Sequence, residues 1–307
     1  MTRSRIDPKA LAALAVLWLI WSVNWLVVKE GLQYAGPFTF GALRGVPGAL
    51  VLFAVAALGR RRLAPVAPGW LVLLGLFQTF GFVAFTNLAL VTGAVGKTTV
   101  LVYTMPFWTL LFAWPMLGER IGRWQWPAVA LAAAGLTLVV EPWQLEGGLR
   151  AKLFAMAGGM SWALSAMVAK RLRATHEIPL LSLTAWQMLF GGLALIVAWL
   201  GVDEPPVQWT PAFAMALAYT TLLSTATAWV LWLYILDHMP AGIAGLSMLA
   251  VPALTVLFSR LAYRERPGGV ELSGMLLIGV SLVLLVTTTP RGTRTDAGAS
   301  SAATART

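Results

Sequence analysis

The side chains with chemical potential in this chain are few, and most are aromatic. Trp18, Trp21 and Trp25 follow i, i+3, i+7 spacing, which places them on one face of a helix with Ser22 alongside and Asn24 at its edge. Ser224, Thr225, Trp229 and Trp232 share a face in the same way. A buried indole N–H needs a hydrogen-bond acceptor, and lipid tails supply none. Stripes that mix rings with hydroxyls therefore suit the wall of a cavity for an amphipathic solute. Ordinary helix packing, with Ser and Thr bonding between helices, produces similar stripes. Gln78, Tyr103, Trp162, Ser165, Trp186, Gln187 and Ser247 complete, with Arg44, the candidate substrate-binding set.

Arg44 is the one charge inside an expected spanning segment. A charge at the bilayer centre costs at least about 2.5–3.5 kcal/mol, which marks it as a functional candidate. It would attract a substrate carboxylate or organise an outer gate; snorkelling or bonding to carbonyls is the structural alternative. Lys97, at a helix start, reads as a snorkelling end residue. The twelve acidic residues lie in loops, tails or helix ends, and His176 and His238 are also terminal. With no mid-membrane carboxylate or histidine to relay protons, facilitated exchange or uniport is expected ahead of carboxylate-based proton antiport. Cysteine is absent, which excludes disulfides and thiol chemistry. An intramembrane enzyme would need a nucleophile with its base, a metal cluster or paired carboxylates, and an ion filter would need charged or carbonyl rings in an oligomer. Neither is expected, nor is any cofactor or metal.

The elements that must position these residues are membrane helices. The 307 residues are 59% hydrophobic and 11% charged, where a soluble domain carries about 25% charged residues; mean hydropathy is +0.78. The net charge of +10 lies in short clusters between apolar runs, so nucleic acid is not the expected partner; the lipid bilayer and a small solute are. Stretches free of Asp, Glu, Lys and Arg run 10–28, 63–96, 98–118, 124–140, 153–169, 178–202, 205–236, 239–259 and 272–290, and a tenth, 31–59, is broken only by Arg44. Each holds one helix of spanning length. The first run lacks a small-residue cleavage site and reads as a retained helix rather than a signal peptide. With the N-terminus inside, cytoplasmic segments carry fourteen Lys and Arg against seven outside, so both termini are expected in the cytoplasm of a cell (inner) membrane protein. Seven tryptophans near helix ends (Trp70, Trp114, Trp124, Trp126, Trp143, Trp199, Trp209) read as an interfacial belt. Residues 289–307 read as a disordered cytoplasmic tail.

The chain repeats itself. Pro106, Thr109, Glu119 and Arg120 recur as Pro252, Thr255, Glu265 and Arg266, all offset by 146 residues. Trp21 and Lys29 match Trp162 and Lys170 at 141, and Arg44 and Gly48 face Gln187 and Gly191 at 143. The expected architecture is an all-α membrane protein of ten transmembrane helices, in two five-helix repeats over 10–141 and 150–288. Five is odd, so the second copy inserts upside down. Inverted repeats are common among secondary transporters; an old duplication kept only for fold is the alternative. Pro106 and Pro252, expected mid-helix, read as gating hinges or fixed bends. Gly41-x-x-x-Gly45, Gly158-Gly159 and Gly191-Gly192 read as close helix packing, and helices five and ten as braces outside the path.

These motifs resemble the EamA-domain transporters of the drug/metabolite transporter superfamily. The resemblance rests on Trp21-Ser22-Val23-Asn24-Trp25 through Lys29, on Pro37 through Arg44, and on Pro106 followed by Gly118-Glu119-Arg120. Their second-half echoes are Ser161-Trp162, Trp186-Gln187 and Pro252 to Glu265-Arg266. It spans roughly residues 10–287 and implies ten helices, cytoplasmic termini and export of amino acids or other metabolites. The expected function is alternating-access export of small amphipathic metabolites by a monomer or weak homo-oligomer; a receptor or scaffold without transport is the alternative.

Overall fold

The computed structural model describes residues 8–60, 63–118, 122–141, 148–238 and 247–288. The motif residues Glu119 and Arg120, Trp143, and the tail 289–307 lie outside the described residues. Helices dominate, and no strand occurs among the described residues. In the first half they are α1 (Pro8–Gly31), α2 (Pro37–Leu58), α3 (Pro68–Thr92), α4 (Val95–Leu117) and α5 (Trp126–Val140). The second half holds α6 (Leu149–Thr175), α7 (Leu180–Leu200), α8 (Pro211–Ala218, Tyr219–Thr227 and Ala228–His238), α9 (Ala250–Tyr263) and α10 (Gly269–Thr288).

Seven of these helices have the length and apolarity to cross a membrane. The expected count of ten spans is thus met in full by seven. α5, α9 and α10 are apolar but shorter over the described residues. At about 1.5 Å per residue, the 15 residues of α5 cover about 22 Å of a roughly 30 Å hydrocarbon layer. Its run is cut short because Glu141 turns into the left-handed region at φ 48°.

Local chemistry explains where helices begin. Proline occupies the first or second position of α2, α3, α5 and α8, where its missing N–H is one that the helix leaves unpaired anyway. Thr210 caps α8 by accepting from the Phe213 N–H at 3.1 Å. Two further N-termini are capped by carboxylates distant in sequence. Glu204 accepts from Phe38 N, Thr39 N and the Thr39 hydroxyl at 2.8, 2.9 and 2.6 Å. Glu265 accepts from Val95 N and Gly96 N at 2.7 and 3.0 Å. A negative charge at the positive end of a helix dipole stabilises both ends of the contact.

The most extensive helix contacts map onto one another when each helix is exchanged for the one five places along. α5 packs on α10, α2 on α7 and α4 on α9; α3 on α6 answers α8 on α1; α4 on α6 answers α9 on α1; α3 on α7 answers α8 on α2. Two inverted repeats related by a pseudo-two-fold produce this pattern. Side chains obey it too. A Cβ on Gly48 of α2 would stand 2.8 Å from Cγ2 of Thr225, and one on Gly191 of α7 would overlap Thr79. Glycine at both positions lets α2 and α7 press against α8 and α3.

Two departures from regular helix also recur in equivalent places. Leu76–Gly81 in α3 and Tyr219–Thr227 in α8 are π-helical, their starts 143 residues apart. Such wide turns concentrate at functional sites. α4 breaks at Tyr103–Thr104, and a turn at Met248–Leu249 precedes α9. The prolines expected mid-helix therefore sit differently: Pro106 is the second residue of the segment Met105–Leu117, and Pro252 the third residue of α9. In a first turn proline forfeits no intrahelical bond, so the break precedes each proline.

Candidate functional site

A cavity of about 370 Å³ lies between the two halves. Its walls come from α1 (Trp21, Asn24, Trp25), α2 (Arg44, Gly45), α3 (Gln78, Thr79, Phe82, Val83) and the break in α4 (Val102, Tyr103, Met105). The second half adds Trp162 from α6, Gln187 and Met188 from α7, Ser224, Thr225, Trp229 and Trp232 from α8, and Met248 ahead of α9. Both π segments contribute to the wall. Among the described residues none from α5 or α10 does, as expected of two braces. Those two are instead clamped together: a Cβ on Gly135 would stand 2.8 Å from the Gly274 carbonyl, and one on Gly274 2.7 Å from the Gly135 carbonyl.

Hydroxyls secure the irregular turns. Thr225 in the second π segment donates to the Thr220 carbonyl five residues back at 2.8 Å. Ser161 of α6 donates to the Phe77 carbonyl in the first at 2.8 Å. Thr79 donates to Oε1 of buried Gln187 at 2.7 Å, joining α3 to α7. Trp21 donates to the Ser224 carbonyl at 3.3 Å and faces Trp232, ring centroids 6.1 Å apart. Its repeat counterpart Trp162 meets Phe82 edge-on at 4.9 Å. Asn24 Oδ1 is a buried acceptor without a partner.

Eleven of the candidate residues read from the sequence line this cavity: Trp21, Asn24, Trp25, Arg44, Gln78, Tyr103, Trp162, Gln187, Ser224, Thr225 and Trp229. Trp18, Ser165, Trp186 and Ser247 do not. Trp18 packs into an apolar cluster with Leu14, Leu17 and Ala228. Ser165 turns back to the Trp162 carbonyl at 2.7 Å, satisfied within its own helix. Trp186 points the other way, donating to the Leu63 carbonyl at 2.7 Å and meeting Phe53 edge-on at 4.9 Å. Ser247 stands just ahead of the turn whose Met248 takes the wall position. Thr79, Phe82 and the methionines 105, 188 and 248 are lining residues outside the candidate set. Thr79 was findable, since it is offset by 146 from Thr225. The methionines carry no such signal; their unbranched side chains adapt to irregular shapes.

One end of the bundle, bearing the α1–α2, α3–α4, α7–α8 and α9–α10 connections, is tied together by side chains. Glu204 and Glu265 tie those connections to α2 and α4. Tyr263 donates to the Leu26 carbonyl at 3.1 Å. Lys29 caps the end of α3 through the carbonyls of Leu90 and Gly93 at 2.6 and 3.2 Å. Lys97, read as a snorkelling residue, pairs with Glu271 at 3.1 Å. Phe40, Tyr34 and Trp209 gather around Phe213, with ring centroids 5.4–6.4 Å apart. α9 packs chiefly against the Val95–Val102 half of α4 rather than against Met105–Leu117.

Known proteins resemble this chain along most of its length. An uncharacterized transporter of Bacillus subtilis, YoaV, is 26% identical over 277 residues, 88% of this chain and 94% of that protein. The uncharacterized inner membrane transporter YedA of Escherichia coli K12 is 24% identical over 281 residues, 89% of this chain and 90% of its own. A probable amino-acid metabolite efflux pump of Salmonella typhimurium is 26% identical over 289 residues, 90% and 93% of the two chains. One solved structure superposes with a TM-score of 0.64 over 92% of this chain and 99% of its own at 21% identity, a likeness of fold. The profile of the EamA-like transporter family matches twice, over residues 8–141 and 149–287, and the chain belongs to that family of multi-pass membrane transporters.

Proposed function

We propose that this protein is a secondary transporter that moves small amphipathic metabolites, amino acids or related compounds, by alternating access through the central cavity. The observation that carries the reading is the cavity at the repeat interface, with equivalent side chains from both halves in its wall: Trp21 with Trp162, and Thr79 with Thr225. Its volume of about 370 Å³ suits a metabolite-sized solute. The two repeats, 10–141 and 150–288, would exchange conformations to open it to either side, with Pro106 and Pro252 beside the breaks that would flex. The excess of Lys and Arg at the opposite end supports an orientation with the tied end outside and both termini in the cytoplasm. The side-chain ties at that end support an inward-facing resting form, the form from which export loads. The name of the Salmonella protein agrees with amino-acid-like cargo.

Counterflow of a labelled metabolite panel in proteoliposomes tests this. At least one member should exchange, and Trp162→Ala should slow that exchange about tenfold or more while the protein stays folded, an aromatic wall contact being worth about 1 kcal/mol or more beyond its buried area. If no solute exchanges, the reading fails; if Trp162→Ala is neutral, the cavity is not the binding site.

A further inference from the structure

Among the described residues, cations within the bundle find partners, with one exception. Lys29 bonds helix-end carbonyls, Lys97 pairs with Glu271, and Lys152 donates to the Val140 carbonyl at 2.7 Å beside Glu141. Arg44 lines the cavity two turns into α2, yet among the described residues it makes no hydrogen bond and no ion pair. Among the described residues it is the only charged side chain in the lining. The uncommitted groups around it are mostly donors. The indoles of Trp25, Trp162, Trp229 and Trp232 line the space and donate to nothing among the described residues, and an indole N–H can only donate. Of the amide oxygens, that of Gln187 is taken by Thr79, and Asn24 Oδ1 stands as an open acceptor among these donors.

We propose that the solute binds as an organic anion, its carboxylate across the Arg44 guanidinium and its apolar body against the indoles, and that the cavity closes readily only when that anion is present. This rests on the transport reading above. A guanidinium matches a carboxylate in two parallel hydrogen bonds. A lone guanidinium sealed in a dry, low-dielectric cavity is penalised, and a bound carboxylate removes the penalty. The loaded carrier therefore reorients faster than the empty one, and exchange outpaces net efflux.

The test uses the full chain in phosphatidylcholine vesicles, so that no net-anionic lipid competes for Arg44. Probes of one size are phenyllactate, its neutral amide and phenethyl-trimethylammonium. Protein-dependent counterflow of phenyllactate should exceed that of the other two by about tenfold or more. With the membrane potential clamped by potassium and valinomycin, efflux of phenyllactate into solute-free medium should be slower than efflux into phenyllactate by at least about tenfold. Arg44→Gln should abolish both differences, and Arg44→Lys should keep the charge preference. Equal handling of the three probes, equal exchange and net efflux, or an Arg44→Gln protein with unchanged preference each overturns the proposal and leaves transport standing. Absence of exchange for every probe overturns the proposal, and the metabolite panel above then decides the transport reading. Should Arg44→Gln fail to fold, the two wild-type comparisons decide alone.

Discussion

Replacing Glu265 by Gln should unlock the end of the bundle proposed to face outward. The carboxylate accepts from Val95 N at 2.7 Å and Gly96 N at 3.0 Å, across 170 residues of sequence. Glutamine keeps one acceptor oxygen but turns an NH2 group toward the second N–H. One charge-assisted hydrogen bond is lost, worth about 1.5–3 kcal/mol, together with about 0.3–1 kcal/mol of charge at the helix dipole. Taking about 2 kcal/mol, the sealed form loses roughly thirtyfold in population against the form open outward. The chain has no cysteine, so Met105→Cys in the cavity wall provides a single thiol. A membrane-impermeant maleimide added outside should label that thiol at least about tenfold faster in the Glu265→Gln background. If labelling is unchanged while the melting temperature falls, the contact caps α4 and does not hold the gate, and the reasoning is wrong.

Two further outcomes follow from the same geometry. Gly135→Ala forces a methyl to within 2.8 Å of the Gly274 carbonyl; overpacking of this kind costs about 1–3 kcal/mol, so the melting temperature should drop. KM for counterflow should hold, since no described residue of α5 or α10 lines the cavity. The lining contains no Asp, Glu, Lys or His among the described residues. Exchange of a solute whose own charge is fixed should therefore vary by less than about twofold between pH 6 and pH 8. A tenfold or bell-shaped dependence would reveal a titrating group in the path.

The helices were legible because apolar runs of about 20 residues have few other readings. The repeat was legible because Pro106, Thr109 and Glu119 recur at one constant offset. The cavity was half legible. The α1 stripe led to Trp21, Asn24 and Trp25, but equal spacing treated Trp18 as their peer, and three residues along a helix suffice to move a side chain from cavity to packing cluster. Trp186 carried the right composition and faces away, because orientation is set by which neighbour takes its N–H, here the Leu63 carbonyl. The capping by Glu204 and Glu265 joins residues 165–170 apart. No local pattern encodes that, although both carboxylates stand in loops where a free helix N-terminus can find them. The π segments left no trace either, since Gly and Thr there fit α and π turns alike, and Thr225 favours the wider one only through its bond to the Thr220 carbonyl.

Those wide turns alter how the rest of each helix reads. A π turn carries one residue more than an α turn, and one residue is about 100° of rotation about the axis. The residues of α8 beyond Thr227, Trp229 and Trp232 among them, are thus turned by about that angle relative to an uninterrupted helix, and Phe82 of α3 likewise follows its own wide turn. The aromatic wall is a matter of phase: the same letters, threaded through two regular helices, would present those rings to a different neighbour and leave the chamber with a different surface.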